Sequence, residues 1–174
     1  MIKPDTRVLV KVGVKRGSHL PVLMKLFGIT NGPIIELGSG TFSTPYLHWA
    51  CFPNKRPLLT LEDHKDWFDS YMGQFKSDYH EIKFVEDWNA IDLSTPWSIA
   101  FVDHDNQQGR KRYQDVSRLT HADYVVCHDA ENYSNHKYGY FHNYREFKYR
   151  WKYTACYPYT MVFSNKHNLK DFTI

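Results

Sequence analysis

The sequence predicts an α/β fold with a doubly wound, mostly parallel sheet and an antiparallel hairpin at its C-terminal end. Three observations carry this prediction: short apolar runs alternate with helix-compatible stretches, each run ends in an acidic or glycine-containing segment, and two plausible strands close the chain. Such alternation is typical of parallel strands joined by right-handed helical crossovers. A chain of 174 residues suffices for one domain with a sizeable core, so a single domain over 1–174 is expected.

The first segment, residues 1–32, is predicted to form an N-terminal arm and a helix. A valine stands at every second position from 8 to 14, which suits a strand or an extended arm. Residues 18–27 keep the apolar spacing of a helix, and Gly28 is placed to end it.

The central segment, residues 33–129, is predicted to form the core of the sheet. Its strand candidates are nearly unbroken apolar runs, which fits strands buried on both faces. The predicted strands are 34–37, 58–61, 82–85, 99–102 and 124–127, and the predicted helices are 45–51, 66–75 and 110–119.

The last segment, residues 130–174, contains an aromatic stretch and the predicted hairpin, with strands at 148–155 and 160–164 on either side of Pro158. Residues 138–153 interleave aromatic with basic side chains, a composition that can stack nucleic-acid bases and neutralise phosphates. The same composition can pack its rings against the sheet and keep its basic heads in water, which we favour.

The overall composition excludes several classes of protein. A net charge of +3 is too small to imply a nucleic-acid partner by itself, and 3 cysteines without metal-binding spacing argue against a disulfide framework or structural zinc. No apolar stretch approaches the roughly 20 residues of a membrane span. We therefore expect a cytoplasmic protein without a membrane partner.

The turn after the first central strand is a candidate ligand site. Residues 36–40, ELGSG, stand at the carboxyl end of that strand, where open parallel sheets bind ligands. Gly38 and Gly40 would let a ligand approach the main chain, and Thr44 and Pro45 suit the start of the next helix. The alternative is that the turn is only structural.

Acidic residues end the next two strands. Glu62 and Asp63 stand where this kind of fold presents carboxylates to the two hydroxyls of a ribose. Asp87 and Trp88 offer an acceptor for an exocyclic amine and a ring for stacking. The alternative is that these acids are merely solvated.

Four motifs in this order, ELGSGTFST, TLEDHKDW, VEDW and WSIAFVDHD, resemble the successive cofactor motifs of class I S-adenosylmethionine-dependent methyltransferases. The resemblance covers about residues 33–129 and implies a Rossmann-like fold with S-adenosylmethionine as cofactor. It departs from the usual pattern at Phe42, where a third glycine often stands. The cofactor-binding residues it implies are Glu36, Gly38, Ser39, Gly40, Ser43, Glu62, Asp63, Asp87, Trp88 and Asp103.

Two Asp-His pairs end the fourth and fifth strands, which are neighbours in the predicted sheet. These candidate catalytic residues are Asp103, His104, His128 and Asp129. In one use, Asp103 and Asp129 hold Mg²⁺, which activates a substrate hydroxyl. In the other, His104 or His128 is the general base without a metal. A third possibility is that Asp103 only orients the cofactor.

The magnesium alternative has its own resemblance. VDH followed by HDAEN is similar to catechol-type O-methyltransferases, in which acids at these two strand ends hold magnesium. Ala130 departs from that family, which usually has asparagine at this position.

The expected activity is O-methylation of a hydroxyl on a sugar, glycan or other small molecule, because little chain remains to recognise a large substrate. One alternative is a nucleic-acid methyltransferase that uses residues 138–153; the absence of an NPPY-type segment argues against it. The other is a non-catalytic S-adenosylmethionine-binding subunit or sensor.

Overall fold

The computed structural model describes residues 17–105 and 111–174, so the predicted arm at 8–14 lies outside the described residues. The elements are α1 (Leu20–Ile29), β1 (Ile34–Leu37), α2 (Ser43–Cys51), β2 (Leu58–Glu62), α3 (Lys65–Tyr71), β3 (His80–Phe84), β4 (Ile99–Val102), α4 (Arg112–Arg118), β5 (Tyr124–Cys127), α5 (Asn132–Tyr138), β6 (Tyr149–Tyr153) and β7 (Thr160–Ser164). Short 3-10 helices lie at Phe52–Asn54, Met72–Phe75, Trp88–Ala90 and Tyr140–Arg145.

All seven described strands form one sheet in the order β3-β2-β1-β4-β5-β7-β6. The first five run parallel, and β7 pairs antiparallel with both β5 and β6. The predicted α/β fold with a C-terminal antiparallel hairpin is therefore confirmed. Strand β1 lies between β2 and β4, so the direction in which the sheet grows reverses there; ligands of open α/β sheets bind at such a switch point.

Both faces of the central strands are buried, as predicted from their unbroken apolar runs. Along β4, Ile99 and Phe101 pack into the core under α1 and α2, whereas Ala100 and Val102 face the opposite core, which includes residues of α4. This alternation follows from the two-residue period of a strand. Within the described residues, no helix has the length and apolar character needed to cross a membrane.

Some predicted boundaries were wrong. Gly28 does not end α1, which continues to Ile29; the Thr30 hydroxyl then donates to the Leu26 carbonyl oxygen (2.7 Å). Strand β3 begins at His80 instead of residue 82, because the buried His80 ring has a polar partner inside the sheet, Thr60. The predicted helix 66–75 is divided into α3 and the 3-10 helix that follows it.

Candidate functional site

A cavity of about 570 Å³ opens at the carboxyl ends of the central strands, beside the switch point. Cavities of this size are typical of small-molecule sites. Its lining residues come from the turns after β1 and β2 and the first turns of α2 and α3, from the ends of β4 and β5, and from single positions before α1, in α4 and before β7. They are His19, Gly38, Ser39, Gly40, Thr41, Phe42, Ser43, Glu62, Asp63, His64, Trp67, Asp103, His104, Asp105, Arg112, His128, Asp129 and Pro158.

Gly38 fixes the turn after β1 through its backbone. Its φ is +87°, and a Cβ added there would lie 2.4 Å from both the backbone N and Cα of His104. Its own N–H donates to the Leu61 carbonyl oxygen (2.8 Å). A glycine is therefore required both by the left-handed conformation and by the close approach of the β1 and β4 ends.

Glu36 lies fully buried beneath this turn. Its Oε2 accepts hydrogen bonds from the hydroxyls of Thr44 (2.9 Å) and Thr60 (2.8 Å). Burial raises the pKa of Glu36 from 4.5 to about 7, and these hydroxyl donors limit the rise. The acid therefore changes charge near neutral pH.

A chain of hydrogen bonds continues from Glu36 into the sheet. Thr60 has one hydroxyl proton, which it gives to Glu36, so the Nε2–H of His80 must donate to Thr60 (2.8 Å). Nδ1 of His80 then accepts from Nδ1–H of His48 (3.1 Å), whose Nε2 accepts from the Tyr79 hydroxyl (3.1 Å). Burial lowers the pKa of His80 to about 4, consistent with this neutral tautomer. This chain of hydrogen bonds could not be predicted from the sequence, because its members share no local pattern.

Glu62 links the turns after β1 and β2. Its Oε2 accepts from the backbone N–H of Ser39 (3.0 Å) and from the Ser39 hydroxyl, and its Oε1 accepts from the His64 N–H (2.8 Å). A carboxylate offers about four acceptor positions, so about one remains for a ligand in the cavity. The Trp67 indole N–H donates to the Ser39 hydroxyl (2.9 Å) and fixes its orientation.

Asp87 and Trp88 do not line the cavity, whereas Asp63 does. The Trp88 side chain is 1% exposed; its ring stacks on His104 (4.5 Å between centroids), and its indole N–H donates to Asp63 Oδ2 (3.0 Å). The exposed Asp87 accepts from the Asn89 N–H (2.8 Å) and caps a 3-10 helix. The structure thus separates these two residues, and the fully buried Glu36, which also does not line the cavity, from the other predicted cofactor ligands.

Arg112, at the start of α4, organises the ends of β4 and β5. Its buried guanidinium donates to the carbonyl oxygens of His104 (2.7 Å) and Asp103 (3.0 Å). It also forms ion pairs with the carboxylates of Asp103 (3.0 Å) and Asp129 (3.3 Å) and stacks over the Tyr138 ring. Arg112 could not be predicted as a site residue, because nothing in the sequence distinguishes one buried arginine from the exposed ones.

The charges of this cluster shift one another's pKa values. Burial opposes ionisation of Asp103, but the charges of His128 and Arg112 outweigh it and hold the pKa of Asp103 below its usual 3.8. Burial and the neighbouring Asp103 raise the pKa of Asp129. Burial lowers the pKa of His128, yet the Asp103 carboxylate outweighs that effect and raises it. Asp103 and His128 therefore form an ion pair.

His128 is held on both sides. Its Nδ1 lies 3.2 Å from both carboxylate oxygens of Asp103, and its Nε2 lies 2.9 Å from the Ser18 hydroxyl. The Ser18 hydroxyl gives its proton to the Pro158 carbonyl oxygen (2.7 Å), so Nε2–H of His128 must be the donor to Ser18. Despite its Ser-His-Asp order, this arrangement does not activate the serine as a nucleophile.

The proposed magnesium pair does not fit the structure. The Arg112 guanidinium already bridges the Asp103 and Asp129 carboxylates with its positive charge. Ala130 is fully buried and supplies no oxygen ligand from its side chain. Mg²⁺ in proteins is usually anchored by one or two carboxylates and completed by waters, and here the arginine already neutralises the two carboxylates that would anchor it. Magnesium is therefore not supported.

His104 is also poorly placed to be a general base. Its ring is 1% exposed, stacks on Trp88, and has Nε2 3.2 Å from the buried Asp115 carboxylate. The ring is thus surrounded by core residues, and proton transfer to the cavity would require it to move.

The aromatic-basic segment divides between core and surface. Tyr138, Tyr140 and Phe147 are at most 5% exposed and belong to the core, as the packing interpretation predicted. Lys148 and Arg150 stay at the surface.

The sequence matches no family model and no curated protein. Solved structures do match the fold. The N-terminal domain of human METTL16 in complex with SAH is 12% identical, with a TM-score of 0.63 over 91% of this chain and 73% of that one. Cofactor-bound Rv0187 from MTB is 17% identical, with a TM-score of 0.59 over 90% of this chain and 82% of that one. The hMettl16 catalytic domain in complex with the MAT2A 3′UTR hairpin 1 is 12% identical, with a TM-score of 0.58 over 90% of this chain and 70% of that one.

These similarities show that the chain shares its Rossmann-like fold with these proteins. They give no support to the resemblance to catechol-type enzymes.

Proposed function

We propose that this protein is an S-adenosylmethionine-dependent methyltransferase. The observation that carries the proposal is that the Gly38 turn and the Glu62 carboxylate face one cavity at the switch point of the sheet. The fold shared with cofactor-bound methyltransferases supports the same conclusion.

The residues present fit this cofactor. Glu62 keeps about one acceptor position for a ribose hydroxyl, and Ser39 and Gly40 line the cavity beside it. The buried Glu36 lies outside the cavity lining and supports the turn through the Thr44 hydroxyl, which donates to Glu36 (2.9 Å) and accepts from the Gly40 N–H (3.0 Å). The bound cofactor would supply an activated methyl group, and the enzyme's task is to align an acceptor with it.

The acceptor would enter beside Asp103, His128 and Asp129, which line the cavity next to the cofactor turn. These three stay candidates for the acceptor side of the site. His128 can remove a proton only after it has lost the proton that it shares with Asp103.

We further propose RNA as the acceptor class, in place of the small hydroxylated molecule expected from sequence. A cleft of about 290 Å³ on the hairpin is lined by Tyr144, Arg150, Trp151, Lys152 and Met161. Arg150 lies over the Tyr144 ring (4.8 Å) and Lys152 over the Tyr159 ring (5.9 Å). Such a mixture of rings and cations suits bases and phosphates.

Three further observations support the RNA acceptor. Within 17–105 and 111–174, neither Arg150 nor Lys152 forms an ion pair with a carboxylate, although Arg150 donates to the Tyr144 carbonyl oxygen (3.3 Å). The cleft is also close to the candidate site along the chain, since Pro158 lines the cavity and Tyr159 contacts Lys152. One structure with the same fold is in complex with the MAT2A 3′UTR hairpin 1.

The cofactor is tested by calorimetry of the full chain with S-adenosylmethionine, S-adenosylhomocysteine and NAD. Binding of the first two and not of NAD is expected. Binding of NAD alone, or of none of the three, would refute the methyltransferase proposal.

The acceptor is tested with tritiated S-adenosylmethionine on single-stranded RNA and on a panel of catechols and sugars. Label in RNA is expected, and label only in the panel would establish the small-molecule alternative. Lys152→Ala should weaken RNA binding and reduce its salt slope by about one. The control is Lys55→Ala, because Lys55 is paired with Asp78 (2.6 Å) beside the opposite edge of the sheet.

A further inference from the structure

A cluster of two imidazoles and one carboxylate lies at the wall of the cavity. One ring nitrogen each of His19 and His128 and one carboxylate oxygen of Asp103 all lie within 4.8 Å of one another. The three residues reach this point from different elements, His19 from the start of α1, Asp103 from the end of β4 and His128 from the end of β5.

His19 has no other evident role in the structure. Its side chain is 2% exposed, and among the described residues neither of its ring nitrogens has a hydrogen-bond partner. Its ring meets His128 edge to face (4.6 Å between centroids) and lies against Phe101. A buried polar group without a partner needs an explanation, and a missing ligand is one.

The hydrogen bonds around the cluster match those of a metal-binding histidine. Metal-ligating histidines usually donate their second ring N–H to an oxygen acceptor. His128 does so through Nε2–H to the Ser18 hydroxyl, which is itself fixed by the Pro158 carbonyl oxygen. The Nδ1 atom of His128 therefore points at Asp103.

Asp103 is oriented in the same way. Arg112 pairs with its Oδ1 (3.0 Å), and His128 Nδ1 is 3.2 Å from its Oδ2. Oδ2 is thus the oxygen available to an ion, while the arginine holds the carboxylate in place.

We propose that His19, Asp103 and His128 form a binding site for a divalent transition metal, Zn²⁺ in the first instance. The ion replaces the proton that His128 Nδ1 shares with Asp103, and contraction of the cluster brings the three ligand atoms to about 2.0–2.2 Å from it. Two imidazoles and one carboxylate with an open fourth position form a ligand set known for zinc and non-haem iron. This site differs from the magnesium pair, since it uses both histidines and not Asp129.

The test is direct titration of the metal-free full chain with Zn²⁺ and with Co²⁺, in the absence of any methyl donor, so it does not depend on the proposed activity. One ion per chain is expected, with the cobalt absorption bands of four-coordination. His19→Ala and His128→Ala should each weaken zinc binding at least about tenfold, and Ser18→Ala by roughly 10–100-fold.

The control is His48→Asn, which removes one member of a second contacting pair of buried imidazoles, His48 and His80. It should keep full zinc affinity. Loss of binding in this variant, with retention in His19→Ala, would overturn the proposal.

A second measurement keeps the test valid if the variants fail to fold. X-ray absorption of the zinc-loaded wild type should show two imidazoles and oxygen ligands at about 2.0–2.2 Å. Sulfur ligands, a single imidazole, or no stoichiometric binding would each refute the site.

Discussion

Replacement of Gly38 by alanine tests the geometry of the turn after β1. The substitution places a side chain at φ +87°, in the region that L-residues rarely adopt, and this costs about 1–3 kcal/mol. The new Cβ would also stand 2.4 Å from backbone atoms of His104, and such overpacking costs about 1–3 kcal/mol more. We expect the free energy of unfolding to fall by about 2–6 kcal/mol, a large part of the usual stability of a domain.

Urea denaturation followed by circular dichroism measures this loss, and Gly28→Ala is the matched control. Gly28 lies in α1, and a Cβ added there would meet nothing within 4 Å. Alanine at a helix position is favoured over glycine, so the control should gain up to about 1 kcal/mol. Equal midpoints for wild type and Gly38→Ala would refute the geometric argument. Under conditions where Gly38→Ala stays folded, calorimetry should still show weakened S-adenosylmethionine binding.

Three further predictions concern charged groups of the site. Glu62→Gln should weaken S-adenosylmethionine binding in calorimetry by about 1.5–3 kcal/mol, because a charged acceptor is lost; unchanged affinity would remove Glu62 from the site. Arg112→Met should lower the free energy of unfolding in urea by about 3–5 kcal/mol, since Asp103 and Asp129 lose their buried counter-charge; a wild-type midpoint would contradict this. Glu36 has a pKa raised from 4.5 to about 7, so the folded state binds more protons than the unfolded state, and wild-type stability should fall by about 3 kcal/mol as pH rises through that window. Glu36→Gln should remove this part of the pH dependence, and identical pH profiles of the two proteins would contradict it.

The sequence by itself determined the architecture and the position of the ligand turn. Unbroken apolar runs such as 34–37 and 99–102 can be buried only between two layers of helices, so the pattern predicts a parallel sheet covered on both faces. The strand ends then follow from chain order, which is why Gly38, Glu62 and Asp103 could be assigned to one edge before their distances were known.

Only the tertiary structure decided which polar side chains line the cavity and which are buried in the core. Trp88 follows a strand end, as a cofactor-stacking ring would, yet a large indole gains more from burial, and it packs on His104 inside the protein. Arg112 carries no sequence signal, because its burial depends on the carbonyl oxygens and carboxylates that two strand ends bring to it. His19 likewise carries no sequence signal. Its ring contacts His128, which is distant along the chain, and local sequence patterns do not predict such contacts.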